Sequence, residues 1–237
     1  MPDAQHPPVI CILGMHRSGT SCLTGSLQQL GLVLGKHHTW NRFNQKGNRE
    51  NQDIIALHDQ LLAASEGAWD KPPGALKWDS AQELQARQLI DSFPAGKTWG
   101  FKDPRSLLLL EFWDAQIDTL GHVGVFRHPL AVARSLQRRA AGQIEDARAI
   151  ELWCLYNERL LARYESAKFP LLSFDWDRER FQQGVIDAAA AIGLDTRPPQ
   201  SAFYDSSLIH FQSKETAKLP RRAAALYDKL CAASDAR

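Results

Sequence analysis

Residues 9–22 read Val-Ile-Cys-Ile-Leu-Gly-Met-His-Arg-Ser-Gly-Thr-Ser-Cys. The apolar, β-favouring run Val9–Leu13 stops at Gly14. Five residues later Gly19 opens a segment whose apolar positions, Leu23, Leu27, Leu30 and Leu32, recur at helical spacing. The pattern predicts strand, tight turn, helix, a layout that lets backbone N–H groups and the positive end of a helix dipole converge on one anion. The glycine spacing matches the phosphate-cradling pattern G-x-x-x-x-G-K-[ST], but Thr20 stands where that pattern has lysine. A cation lies inside the loop instead, at Arg17. The N–H groups of Ser18 to Ser21 are therefore expected to hold a phosphate-like or sulfate-like oxyanion. Arg17 adds charge-assisted hydrogen bonds, and the Thr20 and Ser21 hydroxyls add donors. A plain βα turn would explain the glycines, but not an arginine and three hydroxyl residues packed between a strand and a helix.

Outward from that turn the spacing predicts a first helix over 19–31, a polar and aromatic loop over 36–50, and a helix over 51–64 carrying Ile54, Leu57 and Leu61. Residues 67–74, with two prolines and Trp69, read as another loop, and Ser80 is expected to cap a helix reaching 93. Residues 99–104, Trp-Gly-Phe-Lys-Asp-Pro, predict a short strand with a polar end, and Pro104 opens a helix over 104–118. Residues 122–126 predict a buried strand ending at Arg127, and Pro129 opens a helix to 141. A long amphipathic helix over 146–167, a strand over 170–174 with Asp175 just past it, and helices over 178–192 and 217–233 complete the chain.

Strands separated by helices imply right-handed parallel crossovers. The expected fold is a three-layer α/β sandwich around a mostly parallel sheet, as in phosphate-loop NTPases, in one domain over 1–237 with a C-terminal helical segment over 206–237. Ligands in such folds sit beyond the carboxyl ends of the strands. The polar clusters at 14–21, 102–105 and 127–129 each follow a strand directly, so they should gather along one sheet edge.

The 28 basic and 27 acidic residues nearly cancel, so no global field draws the protein to nucleic acid or membrane, and an anion site must be local. Cys11, Cys22, Cys154 and Cys231 have neither metal spacing nor a paired framework; they read as reduced core or helix residues, and no metal site is expected. The first residues carry no basic leader pattern, and no apolar run approaches the roughly 20 residues of a membrane span. A cytoplasmic protein is expected.

Two further clusters carry chemistry. Lys102, at a strand end within Phe101-Lys-Asp-Pro-Arg105, is placed to stabilise charge developing on a leaving oxygen. Arg127 leaves the next strand, and Ser135 follows it about two turns into a helix, where a planar guanidinium and a hydroxyl can share a second phosphate.

These residues resemble a known family. Gly14-Met-His-Arg-Ser-Gly-Thr-Ser, followed far downstream by Phe126-Arg-His-Pro and Ser135, is similar to the sulfotransferases that use 3′-phosphoadenosine 5′-phosphosulfate (PAPS). The resemblance implies that His16, Arg17, Ser18, Gly19, Thr20 and Ser21 hold the 5′-phosphosulfate and that Arg127 and Ser135 hold the 3′-phosphate. Phe101-Lys-Asp-Pro resembles a segment that puts Lys102 near the transferred sulfuryl group. Asn44-x-x-Gly47-x-x-Glu50-Asn51 resembles the acceptor-side segment of bacterial members, which makes Glu50 the implied base and 36–80 an acceptor-side insertion. Arg17 takes a role often held by lysine. Ser213-Lys-Glu-Thr with Lys218 to Arg222 stands as the candidate for the C-terminal cofactor loop.

The residue chemistry agrees with that implication. Sulfuryl transfer needs a base on the acceptor, in-line geometry and cations on the leaving phosphate. Glu50 is the expected base, with Lys102 and Arg17 on the leaving oxygen. Glu50 also reads as a dipole-favoured glutamate at a helix start. His37, His38 and His58 are the reserve bases, and Trp40, Trp69 and Trp78 are candidates to line a pocket for a small-molecule, carbohydrate or peptide acceptor. Two other readings compete. One is a nucleotide kinase or NTPase, with Asp175 as a magnesium-side aspartate but no phosphate-loop lysine. The other is a binding protein that keeps the fold without the chemistry.

Overall fold

The computed structural model describes residues 8–40, 46–139, 144–199, 201, 203–205 and 218–236. Strand β1, Val9–Leu13, is buried along its whole length. It pairs in parallel with β2, Gly100–Lys102, on one side and with β3, Leu120–Phe126, on the other; β4, Leu171–Ser173, pairs in parallel with β3. The sheet order is β2-β1-β3-β4. Strands covered on both faces read as continuous apolar runs, and here the period-2 alternation sorts them into two layers. Cys11, Leu13, Phe101 and Phe126 join one core with Leu57, Trp113 and Trp153. Ile10, Ile12, Val123 and Val125 join the other with Leu23, Leu27 and Phe181.

Helices α1 (Thr20–Gln29) and α7 (Arg178–Ala191) cover the second face. The first face carries α2 (Gln52–Ala64), α3 (Ser80–Asp91), α4 (Leu110–Gln116), α5 (Pro129–Arg139), α6 (Asp146–Ala167) and α8 (Arg221–Asp235). The result is the expected three-layer α/β sandwich, with a sheet that is parallel throughout. No helix among the described residues is long and apolar enough to cross a membrane.

Two local expectations are corrected. Asp79, not Ser80, caps α3: its carboxylate accepts the N–H groups of Ala81 (2.9 Å) and Gln82 (3.1 Å), while Gln82 Oε1 accepts the Asp79 N–H, a complete capping box. Both residues are strong cap formers, and sequence alone does not separate neighbours. The segment expected as one helix over 104–118 splits into a 3-10 turn, Pro104–Leu108, and α4. Leu107, Leu108 and Leu109 are all buried, and three successive positions cannot share one face of a regular α-helix. The tighter turn redirects the chain so that all three pack. Asn44, the 140–141 end of the fifth helix and the 213–216 stretch lie outside the described residues.

Gly25, buried in mid-α1, sits beneath Phe203: a Cβ there would lie 2.4 Å from the ring. Helix propensity alone favours alanine over glycine by about 1 kcal/mol. The packing reverses the sign. Gly25→Ala should lower the denaturation midpoint, by an overpacking cost of about 1–3 kcal/mol before that propensity gain is subtracted. Adding Phe203→Ala should make the second Gly25→Ala step neutral or stabilising. A Gly25→Ala protein more stable than wild type would refute the close contact.

Candidate active site

The turn after β1 has the geometry its sequence implied. Ser18 N–H closes on Met15 C=O at 3.2 Å, Arg17 holds a left-handed φ of 68°, and Gly19 caps α1 at φ 90°. A Cβ at Gly19 would lie 2.3 Å from the Phe174 ring, so this position requires glycine. The first N–H groups of α1 have no partner within the helix and point out of its N-terminal end. The Ser18 Oγ is buried there without a hydrogen-bond partner among the described residues. A left-handed arginine is costly backbone, of the kind found at binding sites.

Positive charge converges on this turn. Arg17 Nε donates to Ser135 Oγ at 2.7 Å, joining the loop to α5. Arg127 Nη1 donates to the Arg17 carbonyl at 3.4 Å, and its guanidinium lies 5.4 Å from the Phe174 ring centre. Burial, and then the charges of Arg139, Arg127 and Arg138, push Arg17 down to about 10. Arg17 stays protonated at neutral pH, held among like charges that a bound oxyanion would relieve. Arg127 is fixed from behind, because Trp153 Nε1–H donates to its carbonyl at 2.9 Å. Asp175 accepts the His128 N–H at 2.6 Å and the Tyr227 hydroxyl at 3.2 Å, locking the turn into α5.

At the start of α1, Lys102 Nζ lies 2.6 Å from Glu50 Oε1 and 3.4 Å from Ser21 Oγ. Lys102 is 2% exposed and Glu50 14%. Ser21 Oγ–H donates to the Asn48 carbonyl at 3.2 Å, and Asn48 Nδ2 donates to Glu50 Oε2 at 3.3 Å. The next residue, Asn51, caps α2 by accepting from the N–H groups of Asp53 and Ile54. Glu50 thus belongs to the loop before the cap, and its carboxylate faces Lys102 rather than the helix end.

Glu50 also lines a cleft of about 330 Å³ with His16, Trp69, Asp103, Arg105, Leu136, Arg139 and Ile144. His16 packs edge-on against Trp69, with ring centres 5.0 Å apart, and its Nε2 has no hydrogen-bond partner among the described residues. Burial pushes the His16 imidazole down to about 3, with Arg105, Arg139 and Lys102 adding to the shift and Asp103 opposing it. The ring is neutral at physiological pH. Of the tryptophans, Trp69 lines the cleft, Trp78 packs on Phe112 in the core, and Trp40 is 65% exposed.

No protein-family model and no curated protein matches the sequence. Two solved structures are similar in fold. One is the sulfotransferase domain from the Synechococcus PCC 7002 olefin synthase, at TM-score 0.58 and 16% identity over 97% of each chain. The other is a sulfotransferase from Alicyclobacillus acidocaldarius, at TM-score 0.55 and 13% identity over 97% of this chain and 94% of that one. The chain has the sulfotransferase fold.

Within that fold, the residues singled out from sequence form two hydrogen-bonded groups at the start of α1. Arg17, Arg127 and Ser135 interlock in one, and Ser21, Glu50 and Lys102 in the other. Of the reserve bases, His58 is fully buried and both its ring nitrogens are engaged. Trp113 Nε1–H donates to His58 Nε2 at 2.8 Å, so Nδ1 carries the hydrogen given to Asp103 Oδ2 at 3.1 Å. His37 is engaged by Gly35 C=O and approached by Arg49 and Gln28. Sequence reading missed Asn48 and the Trp113–His58–Asp103 chain. The asparagine has a weak signal, its place between a glycine and the candidate base. The chain joins three elements and has no local signal.

Asp103 also accepts from Arg105 Nε at 2.9 Å, and Arg105 bonds Asp59 as well. Burial opposes ionisation of Asp103, but the His58 hydrogen bond and Arg105 outweigh it and hold the carboxyl well below the usual range. Removing a buried hydrogen bond to a charged group costs about 1.5–3 kcal/mol. His58→Phe should lower the unfolding free energy by that order at pH 7. A depressed carboxyl stabilises above its unfolded pKa of about 3.9 and loses that contribution as pH falls toward its folded value. The gap between wild type and His58→Phe should therefore narrow below about pH 4. Denaturant titrations at pH 7 and pH 3 measure both quantities, and equal stability at pH 7 would refute the role assigned to His58.

Proposed function

We propose that the protein is a PAPS-dependent sulfotransferase that moves a sulfuryl group to a hydroxyl or amine of a small acceptor held in the cleft beside Glu50. One observation carries the reading: Arg17, bonded to Ser135, and Lys102, bonded to Glu50 and Ser21, both border the start of the same helix, next to a cleft lined by Glu50 and Asp103. The residues fit a phosphosulfate. The turn offers the N-terminal end of α1, a Ser18 hydroxyl with no hydrogen-bond partner among the described residues, and an arginine crowded by like charge.

When bound, the donor supplies the sulfuryl group and a phosphate leaving group. Glu50 takes the proton from the acceptor hydroxyl as its oxygen turns nucleophilic. Lys102 Nζ and Arg17 stabilise the charge that develops on the leaving oxygen, together with the N–H groups at the start of α1. Arg127 and Ser135 bind the 3′-phosphate and fix the nucleotide end. Residues 46–80 supply much of the acceptor side through Glu50 and Trp69. The kinase reading loses its main support, because Asp175 is engaged by the His128 N–H and the Tyr227 hydroxyl.

Adenosine 3′,5′-bisphosphate without metal should raise the melting temperature, since a ligand at about 100 times its dissociation constant adds about 2.7 kcal/mol. Arg127→Ala should abolish the shift. Stabilisation by ADP with magnesium alone would overturn the proposal. A screen of hydroxylated acceptors then reads turnover: Glu50→Gln should cut it by roughly a hundredfold while leaving bisphosphate binding intact. Near-normal turnover would remove Glu50 from the mechanism.

A further inference from the structure

We propose that Asn48 is the positioning residue for Glu50, keeping its carboxylate aimed into the cleft when Lys102 turns to the donor. The proposal rests on the sulfotransferase reading and adds to it a residue outside the phosphate loop and the base itself.

The two oxygens of Glu50 are held differently. Oε1 faces the Lys102 ammonium at 2.6 Å, and Oε2 accepts the Asn48 amide at 3.3 Å. An ion pair of that length orients a carboxylate but also draws on the lone pair that a base must use. A neutral amide orients with much less loss of basicity. As an anion arrives at the first turn of α1, the Lys102 charge is shared with it and the grip on Oε1 loosens. Glu50 then keeps one anchor at Oε2, and Oε1 becomes available to a hydroxyl in the cleft. Without Asn48, a side chain with three rotatable bonds would lose its orientation at the moment it must act.

The backbone is shaped for this task. Asn48 lies between Gly47 and Arg49, both at positive φ, 76° and 60°. Backbone bonds from Arg49 N–H to His38 C=O and from His38 N–H to Glu50 C=O, each 3.2 Å, clamp the loop in place. The Asn48 carbonyl takes the Ser21 hydroxyl at 3.2 Å, and Ser21 Oγ also accepts from Lys102 at 3.4 Å. Asn48 therefore touches the phosphate turn through its main chain and Glu50 through its side chain. It ties donor site to base.

The test compares Asn48→Ala with the near-isosteric Asn48→Asp. Turnover of radiolabelled donor is followed onto the acceptor that the screen yields, or onto water when it yields none. In the water reaction the oxygen bonds to sulfur, its proton goes to Glu50, and the sulfur–phosphate oxygen bond breaks with its electron pair. Asn48→Ala should lower kcat about tenfold, the rate equivalent of one neutral hydrogen bond. Asn48→Asp should lower it further, because it loses the N–H and sets a second carboxylate against Glu50. Donor KM and bisphosphate binding should be unchanged in both. Asn48→Asp at or above the activity of Asn48→Ala would show that shape suffices and overturn the proposal, as would a loss confined to donor KM. Active Glu50→Gln would instead bring down the base assignment. Inactive Glu50→Gln with fully active Asn48 variants sinks only the role of Asn48.

Discussion

Positive charge gathered around one turn is the constraint on which this structure depends. Arg17 is fixed at a left-handed backbone position, half-buried, with Arg139, Arg127 and Arg138 as the charges acting on it. The N-terminus of α1 adds partial charge of the same sign. Folding against that repulsion is unfavourable, and the cost is met by the packing of β1, α1 and α5 around the turn. What the protein gains is a preorganised field: an anion entering it finds donors already aimed, with no reorganisation to perform.

The rigidity around that field comes from hydrogen-bonded side chains packed behind the strand ends. Trp153 holds the Arg127 carbonyl, and Asp175 holds the His128 N–H, so the turn from β3 into α5 cannot swing. At the end of β2, Trp113 and His58 fix Asp103, Asp103 fixes Arg105, and the 3-10 turn follows from that placement. The ends of β2 and β3 thus each have a hydrogen-bonded brace. A parallel sheet gathers its carboxyl ends on one edge whatever the loops contain. The braces convert that gathering into fixed distances.

This division explains what was legible in the sequence. The strands and helices were readable because their signals are periodic and local, as in the unbroken run of β1 or the α2 stripe of Ile54, Leu57 and Leu61. Arg17, Lys102 and Arg127 were expected to gather because each lies at or shortly after a strand's carboxyl end, and a parallel sheet collects those ends on one edge. The braces were not. Trp113, His58 and Asp103 come from α4, α2 and the end of β2, and the distance along the chain carries no trace of their contact. The break at Leu109 was hidden for a related reason: helix propensity is uniform across 104–118, and only the demand to bury three successive leucines splits it. Asp175 looked like a metal-side aspartate because its strand-end position is real; its partners, a backbone N–H and a tyrosine hydroxyl, give it a different task.

The replacement that first set the loop apart, arginine within it and threonine where lysine is usual, has a geometric consequence. A lysine after the second glycine reaches phosphates from the helix start as a single compact charge. A guanidinium on the turn itself has a rigid fork with five N–H donors, and here Nε is given to Ser135, eight residues beyond Arg127. That bond couples the orientation of the Arg17 guanidinium to the helix proposed to hold the second phosphate. Lysine could not hold both partners in one plane. The arginine therefore does more than replace a charge: it makes the two halves of the proposed donor site a single hydrogen-bonded unit, whose geometry is set before any ligand arrives.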